Sequence, residues 1–142
     1  MSQVYFEDVE PGYEVGPVVK MPTREQLDAF TTVWGSQTGR FTSDEAARAE
    51  GFSGVILPGN MSMALLAQVL TEWAGPAGKL KRLECDFRRY VQPGDTLNCV
   101  GLVTDTETEG GENRVVMDVY IENQRGERAL QGTALALLPS KL

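Results

Sequence analysis

The stretch MSMALLAQVLTEW, residues 61–73, is the longest predicted helix of the chain and decides its fold. Its apolar residues lie on nearly every side of a helical turn instead of on one stripe. A helix without a wide polar face is usually buried, so residues 61–73 are predicted to form the central helix of the domain. Asn60 precedes the stretch and is a favourable N-cap residue, and the sequence AGPAG at 74–78 ends it.

Beyond Lys79 the spacing of the apolar residues changes from helical to alternating. An apolar residue at every second position is typical of a strand with one face in the core. We predict four long strands joined by hairpins, around 83–87, at 96–106, around 115–121 and at 128–138. A polar loop is predicted over residues 107–113. The turns fall at PGD, residues 93–95, and at NQRG, residues 123–126.

The first third of the chain predicts one short strand at 15–20 and two helices. Thr23 to Gln26 matches a capping box, and the helix that follows is predicted to bury Leu27, Phe30, Thr31 and Trp34 and to end at Gly35. Thr42 to Glu45 matches a second capping box, for a short helix that stops at Gly51. Helices followed by a run of strands favour an α+β fold with an antiparallel sheet.

Length, charge and composition exclude several classes of protein. The 142 residues fit one domain. A net charge of −7 without a long basic run argues against nucleic-acid binding. No apolar stretch of about 18 residues is present, so a membrane span is not expected. The N-terminus does not resemble a signal peptide, and we expect a cytoplasmic protein.

The chain has two cysteines and no histidine. Cys85 and Cys99 fall in predicted strands, and two cysteines without histidine do not make the usual zinc sites. We therefore predict small core thiols in a reducing compartment, with a disulfide as the alternative, and no metal and no cofactor. Two basic clusters, at 79–82 and at Arg88-Arg89, fit either a solvated strand edge or contacts to the phosphates of a small anionic ligand.

Residues 30–41 read FTTVWGSQTGRF, residues 42–52 read TSDEAARAEGF, and residues 55–59 read VILPG. This order resembles the MaoC-like (R)-specific enoyl-CoA hydratases, whose signature is roughly Gly-Asp-x-Asn-Pro-x-His, then a short acidic helix, then a glycine that opens a long helix. The resemblance implies one hotdog domain over residues 1–142, in which an antiparallel sheet wraps a long central helix. The substrate implied is a thioester of CoA or of an acyl carrier protein.

In that family an Asp and a His activate a water, and a backbone N–H at the start of the central helix holds the thioester oxygen. In this chain Ser36, Thr38 and Phe41 stand where the family has its Asp, Asn and His, so the resemblance implies a degenerate dyad. Gly59 stands at the oxyanion N–H position. Pro58, Asn60 and Trp34 are the other residues that the resemblance places near the substrate.

Each of these positions also has a structural interpretation. Ser36 and Thr38 are common turn residues after a helix, and Phe41 suits a core. Pro58-Gly59 fits a strand-to-helix turn, and Asp44 and Glu45 are explained by the second capping box.

Three hypotheses of function follow. The chain is a non-catalytic hotdog subunit that pairs with a catalytic enoyl-CoA hydratase or dehydratase subunit. Alternatively, it is a stand-alone acyl-CoA hydratase, dehydratase or thioesterase with altered catalytic residues, which requires a carboxylate near Gly59. The third alternative is a structural or binding homo-oligomer without chemistry. Because hotdog domains associate in twos, we expect a homodimer or a heteromer with a related subunit.

Overall fold

Five strands form one antiparallel sheet in the spatial order β1-β3-β4-β5-β2. The computed structural model describes residues 2–36 and 38–142. The strands are β1 (Glu14–Lys20), β2 (Lys79–Phe87), β3 (Leu97–Glu109), β4 (Glu112–Glu122) and β5 (Arg128–Leu137). The short strand predicted near the N-terminus and the antiparallel pairing are confirmed.

Four α-helices and a short 3₁₀ turn, Phe6–Asp8, complete the fold. The helices are α1 (Arg24–Trp34), α2 (Gly39–Thr42), α3 (Asp44–Ala49) and α4 (Gly59–Ala74). Helix α4 contacts β1, β2, β3 and β5. The predicted α+β hotdog arrangement, a long helix held by one antiparallel sheet, is therefore confirmed. No helix in the described part of the chain has the length and apolar character needed to cross a membrane.

The core lies between α4 and one face of the sheet. Leu66 and Leu70 of α4 are fully buried, and so are the alternating residues of β4, which include Val115 and Met117. The predicted alternation in β4 is thus confirmed. The two thiols are free: Cys99 is buried in β3, where burial raises its pKa to about 11, and Cys85 is half-buried in β2.

The prediction of four strands joined by hairpins is wrong for the first connection. Strand β2 pairs with β5, and β3 pairs with β1 and β4, so the chain crosses the sheet between β2 and β3. The predicted loop 107–113 is also wrong, because β3 and β4 continue through it to a turn at Gly110-Gly111, where both glycines have positive φ. Its polar residues suit an exposed strand pair, in which Glu107 lies opposite Arg114 and pairs with it at 3.4 Å.

Two predictions about the long helix need correction. The helix starts earlier than predicted, because the carbonyl of Pro58 accepts from Met61 N and Ser62 N and closes the first turn. Asn60 is therefore the second helical residue and not the N-cap. Burial is also less complete than predicted, since Ala64 and Gln68 are exposed.

The first capping box is confirmed, whereas the second is displaced. Thr23 Oγ1 accepts from Gln26 N at 3.1 Å, and Gln26 Oε1 accepts from Thr23 N at 2.9 Å. In the second case Ser43 is the cap, because Thr42 belongs to α2 and the Ser43 hydroxyl accepts from Ala46 N. Trp34, predicted to be buried, is 48% exposed, since it ends α1 at the surface.

Candidate functional site

A cavity of about 330 Å³ opens at the start of α4. Its apolar wall consists of Phe41, Ile56, Leu57, Phe87 and Val91. Its polar wall consists of Arg40, Ser62, Arg88, Arg89 and Tyr90. Gly59, the first residue of the helix, also lines the cavity.

The local sequence fixes the position of Gly59. The preceding residues are extended and held on both sides, because Ile56 N donates to Arg40 O at 3.0 Å and Leu57 N donates to Val91 O at 2.7 Å. Pro58, with φ of −63° and ψ of 148°, ends this segment and caps the helix. The chain therefore enters α4 directly at the cavity.

The first amides of α4 are free to bind a ligand. Within residues 2–36 and 38–142, the N–H groups of Gly59 and Asn60 meet no hydrogen-bond acceptor, as expected for a helix N-terminus without a side-chain cap. The helix dipole adds partial positive charge there. Such donors can stabilise negative charge that develops on a thioester oxygen.

The ring of Phe87 lies against Gly59. A Cβ added at Gly59 would come within 3.1 Å of Phe87 Cε1 and Cζ. A larger residue at this position would displace the ring from the cavity mouth, so the close approach explains the glycine.

The structure brings together only part of the predicted site. Phe41 and Gly59 both line the cavity, whereas Ser36 and Thr38 are not among its wall residues. Ser36 Oγ instead accepts from Thr38 N at 3.3 Å, which is turn chemistry. Trp34 packs on the Phe41 ring at a centroid distance of 6.1 Å and supports the wall from outside it.

The other two predicted substrate contacts lie beside the cavity. Pro58 is buried and carries the turn, and Asn60 is exposed and lines a neighbouring groove between α4 and β2. Their predicted roles in binding a substrate stay predictions.

The described wall of the cavity holds no carboxylate and no imidazole. Asp44 is the carboxylate closest to Phe41 in the sequence. It accepts from Val55 N at 2.9 Å and pairs with Arg24 at 3.2 Å. It lines a separate depression. The amide of Val55, followed by the Arg24 guanidinium, holds the pKa of Asp44 below its ordinary value. Asp44 therefore holds the loop before α4, and Glu45 is exposed on α3.

Sequence reasoning missed several wall residues. Ser62 lies three residues after Gly59 and is 4% exposed, and its helical spacing from Gly59 was the signal that could have found it. Arg40 pairs with Glu50 at 2.7 Å, while its Nε is buried without a partner in the described part of the chain. No sequence signal pointed to Arg40, because its position depends on how α2 packs against α1 and α3.

The family model described as a MaoC-like domain matches residues 18–125 of this sequence. The chain belongs to the MaoC-like domain family. The match includes the cavity, the whole of α4 and three of the five strands. No curated protein matches this sequence.

Several solved structures share this fold. The (R)-hydratase PhaJ1 from Pseudomonas aeruginosa superposes with a TM-score of 0.88 and 22% identity, over 98% of this chain and 88% of that one. A MaoC-like dehydratase from Rhodospirillum rubrum gives a TM-score of 0.84 and 21% identity, over 98% and 99% of the two chains. A chain of the ChsH1–ChsH2 complex from Mycobacterium tuberculosis gives 0.79 and 16%, over 90% and 97%.

Proposed function

We propose that this MaoC-like chain binds acyl thioesters and acts as the non-catalytic partner of a catalytic hotdog hydratase or dehydratase subunit. The observation that carries the proposal is the composition of the cavity. The cavity includes Gly59, whose amide is free at the start of α4. Its described wall contains no carboxylate and no imidazole that could act as an acid or a base.

The chemistry of hydration explains why this combination favours binding without turnover. Addition of water to an enoyl thioester needs a base for the water and an acid that protonates Cα, and each such group contributes about 10²–10⁴-fold. The guanidinium of Arg40 stays protonated and cannot act as the base. The hydroxyls of Ser62 and Tyr90 have no carboxylate or imidazole beside them on the described wall to activate them.

Association with a second hotdog subunit is the other half of the proposal. Strand β2 is the last strand of the sheet, and an open edge favours pairing with another chain. A groove of about 330 Å³ runs along this edge between α4 and β2, and its apolar residues include Met63, Ala67 and Leu83. The ChsH1–ChsH2 structure is a complex of two different chains, which supports the proposal that the partner of this chain is a related subunit. The cytoplasmic location of this chain stays a prediction.

The test is hydration of crotonyl-CoA and of a bulky enoyl-CoA by this chain, first alone and then with the product of its neighbouring gene. We expect no enzymatic hydration by the chain alone, and a stable complex that hydrates the bulky substrate faster than the partner does alone. Enzymatic hydration or thioester hydrolysis by the chain alone would favour the stand-alone enzyme. A chain that neither binds the thioesters nor changes the partner's activity would favour a structural role.

A further inference from the structure

The segment that enters α4, residues 55–57, is fixed by its backbone amides, each of which donates to a different part of the fold. The amides of residues 56 and 57 donate to backbone carbonyls, one in α2 and one in the chain after β2. The amide of Val55 donates instead to a side chain, the carboxylate of Asp44 in the first turn of α3, at 2.9 Å. The contact at Val55 is therefore the one that a substitution can remove.

The carboxylate of Asp44 is itself held in place. Arg24 of α1 pairs with its Oδ2 at 3.2 Å, while its Oδ1 accepts from Val55 N. The same guanidinium donates to Thr42 O at 3.1 Å and pairs with Asp28 at 3.1 Å. The two oxygens of Asp44 therefore have separate roles, since one is anchored on α1 and the other holds the segment before α4.

Gly54 allows the close approach of this carboxylate. A Cβ added at Gly54 would lie 3.0 Å from Asp44 Oδ1, so a side chain there would push the carboxylate away from Val55 N. The other side of the loop is held by Gln92, whose Nε2 donates to Gly54 O at 3.3 Å and whose Oε1 accepts from Ser53 Oγ at 3.1 Å. The loop is thus fixed between α3 and the chain after β2.

Loss of the Asp44 contact would move the entrance of α4. Val55 is 4% exposed, so its N–H would be left buried without an acceptor. An unpaired buried N–H is unfavourable, and the segment can relieve it only by moving toward solvent. Gly59 follows four positions after Val55, through Pro58 with its fixed φ, so this movement would change the direction of the first amide of α4.

We infer that Asp44 is a positioning residue, which acts through Val55 to direct the free amide of Gly59 at the carbonyl oxygen of a bound thioester. The inference rests on the proposed function, because it takes a thioester as the ligand at Gly59. Asp44 is not among the described wall residues of the cavity and lines a separate depression. It therefore acts on the ligand only through the backbone that it holds.

This role has a specific consequence for binding. The strength of a hydrogen bond depends steeply on the direction of the N–H group, whereas apolar contacts tolerate small shifts of a wall. A displaced amide at Gly59 should therefore weaken recognition of the thioester carbonyl and leave the rest of the ligand bound as before.

The first experiment compares butyryl-CoA with S-butyl-CoA by calorimetry. S-butyl-CoA is a thioether with the same chain and without the carbonyl oxygen. We expect Asp44→Ala to lower the affinity for butyryl-CoA by about 3- to 10-fold, as for the loss of one neutral hydrogen bond, and to leave the affinity for S-butyl-CoA unchanged. An equal loss for both ligands would overturn the inference, because Asp44 would then support the whole cavity. Equal affinity of the unmodified chain for the two ligands would overturn it as well.

The second experiment observes the carbonyl directly, by infrared spectroscopy of bound butyryl-CoA with a ¹³C-labelled carbonyl. A hydrogen bond lowers the stretching frequency of a carbonyl group. The band should therefore lie at higher frequency in the complex of the Asp44→Ala variant than in that of the unmodified chain. The same band in both complexes would overturn the inference.

Two further variants separate the contact with Val55 from the charge at Arg24. Asp44→Asn keeps an oxygen that accepts from Val55 N, so it should retain most of the affinity and the band of the unmodified chain. Asp28→Ala is the matched control, because it removes the other carboxylate on Arg24 and, within the described residues, Asp28 has no hydrogen bond to the loop. It should bind both ligands normally. A loss with Asp44→Asn or Asp28→Ala as large as with Asp44→Ala would overturn the route through Val55.

Gly54→Ala provides an independent test that keeps both carboxylates. The added methyl group would lie 3.0 Å from Asp44 Oδ1, so the carbonyl band should shift in the same direction as with Asp44→Ala. If the Asp44→Ala variant does not fold, this variant decides, and an unchanged band in it would overturn the inference. No binding of butyryl-CoA by the unmodified chain would instead overturn the proposed function, and this inference with it.

Discussion

Gly59 and Phe41 define the candidate site at the scale of single residues. Gly59 presents a free amide at a helix start and has the ring of Phe87 against its Cα. Phe41 lines the same cavity at the position where the family resemblance implies a catalytic histidine. The cavity thus offers a free amide at Gly59, and an apolar ring stands where the resemblance implies a side chain that transfers a proton.

Restoring the family residues tests this replacement directly. We expect Ser36→Asp, Thr38→Asn and Phe41→His together to give measurable hydration of crotonyl-CoA, about 10²-fold above the single variants. The single variants should stay at background, because acid and base act as a unit. The matched control replaces Ser36 by Asn in the same triple background and should be inactive. Equal rates in the triple variant and in the control would show that the lost carboxylate is not the reason for inactivity.

Asp44 provides a pH-dependent contribution to stability. Its pKa lies below the ordinary value of 3.8, chiefly because its carboxylate accepts from Val55 N and then because it pairs with Arg24. A carboxyl group whose pKa is lowered on folding stabilises the protein above its unfolded pKa, and this contribution disappears as the pH falls through the folded pKa. Asp44→Asn should therefore flatten the fall of the unfolding free energy on acidification to about pH 3.

Urea unfolding at a series of pH values measures that slope. Glu7, Asp8, Glu112 and Glu127 also have lowered pKa values, so the Asp44→Asn variant should keep part of the pH dependence. The same slope in both proteins would mean that Asp44 contributes nothing to it.

Helix α4 determines the architecture at the scale of elements. Leu66 lies at its centre and is fully buried. Leu66→Asp removes an apolar contact and buries an unpaired carboxylate, so we expect a loss of about 3 kcal/mol or more in the free energy of unfolding. Gln68→Asp is the control, because Gln68 is exposed on the same helix and binds Lys20; its effect should be below about 1 kcal/mol. Similar losses in both variants, measured by urea unfolding, would contradict the central position of α4.

The sequence was sufficient for the elements whose pattern depends on burial. The alternating residues of β4 and the apolar run of α4 face one core, so their spacing alone predicted them. Sequence patterns did not predict the long β3–β4 ribbon, because polar residues such as Glu107 and Arg114 pair across exposed strands and have no apolar partner to mark them. They also missed the path from β2 to β3, because local turn signals contain no information on which strand pairs with which.

The candidate site was predictable only where it depends on the local chain. The position of Gly59 at the start of a helix was predictable from the strand-to-helix turn that Pro58-Gly59 indicates. Arg40 and Ser62 reach the cavity through tertiary packing, whereas Ser36 and Thr38 are not among its wall residues, and Ser36 Oγ accepts from Thr38 N. These differences depend on how α2 packs against α1 and α3, which a spacing pattern does not record.

The open edge at β2 leads to a prediction at the scale of the whole molecule. We expect a dimer, or a heteromer with a related subunit, that buries the groove between α4 and β2. Ala64 is exposed in that groove, so Ala64→Glu should give a folded monomer by light scattering. Gln68→Glu makes the same change of charge one turn further along the helix, at a residue outside that groove whose side chain accepts from Lys20 of β1. The Gln68→Glu variant should associate like the wild-type chain. A wild-type chain that stays monomeric, both alone and with its partner, would contradict the prediction that this groove is an interface.

Binding and turnover of crotonyl-CoA, measured on one sample of the unmodified chain, test the central claim most directly. The claim is that this MaoC-like cavity holds an acyl thioester at Gly59 without acid–base groups of its own. The account predicts saturable binding by calorimetry together with hydration at the uncatalysed rate in the same solution. Saturable binding accompanied by hydration at an enzymatic rate would contradict it, and would require a base that the described wall of the cavity does not contain.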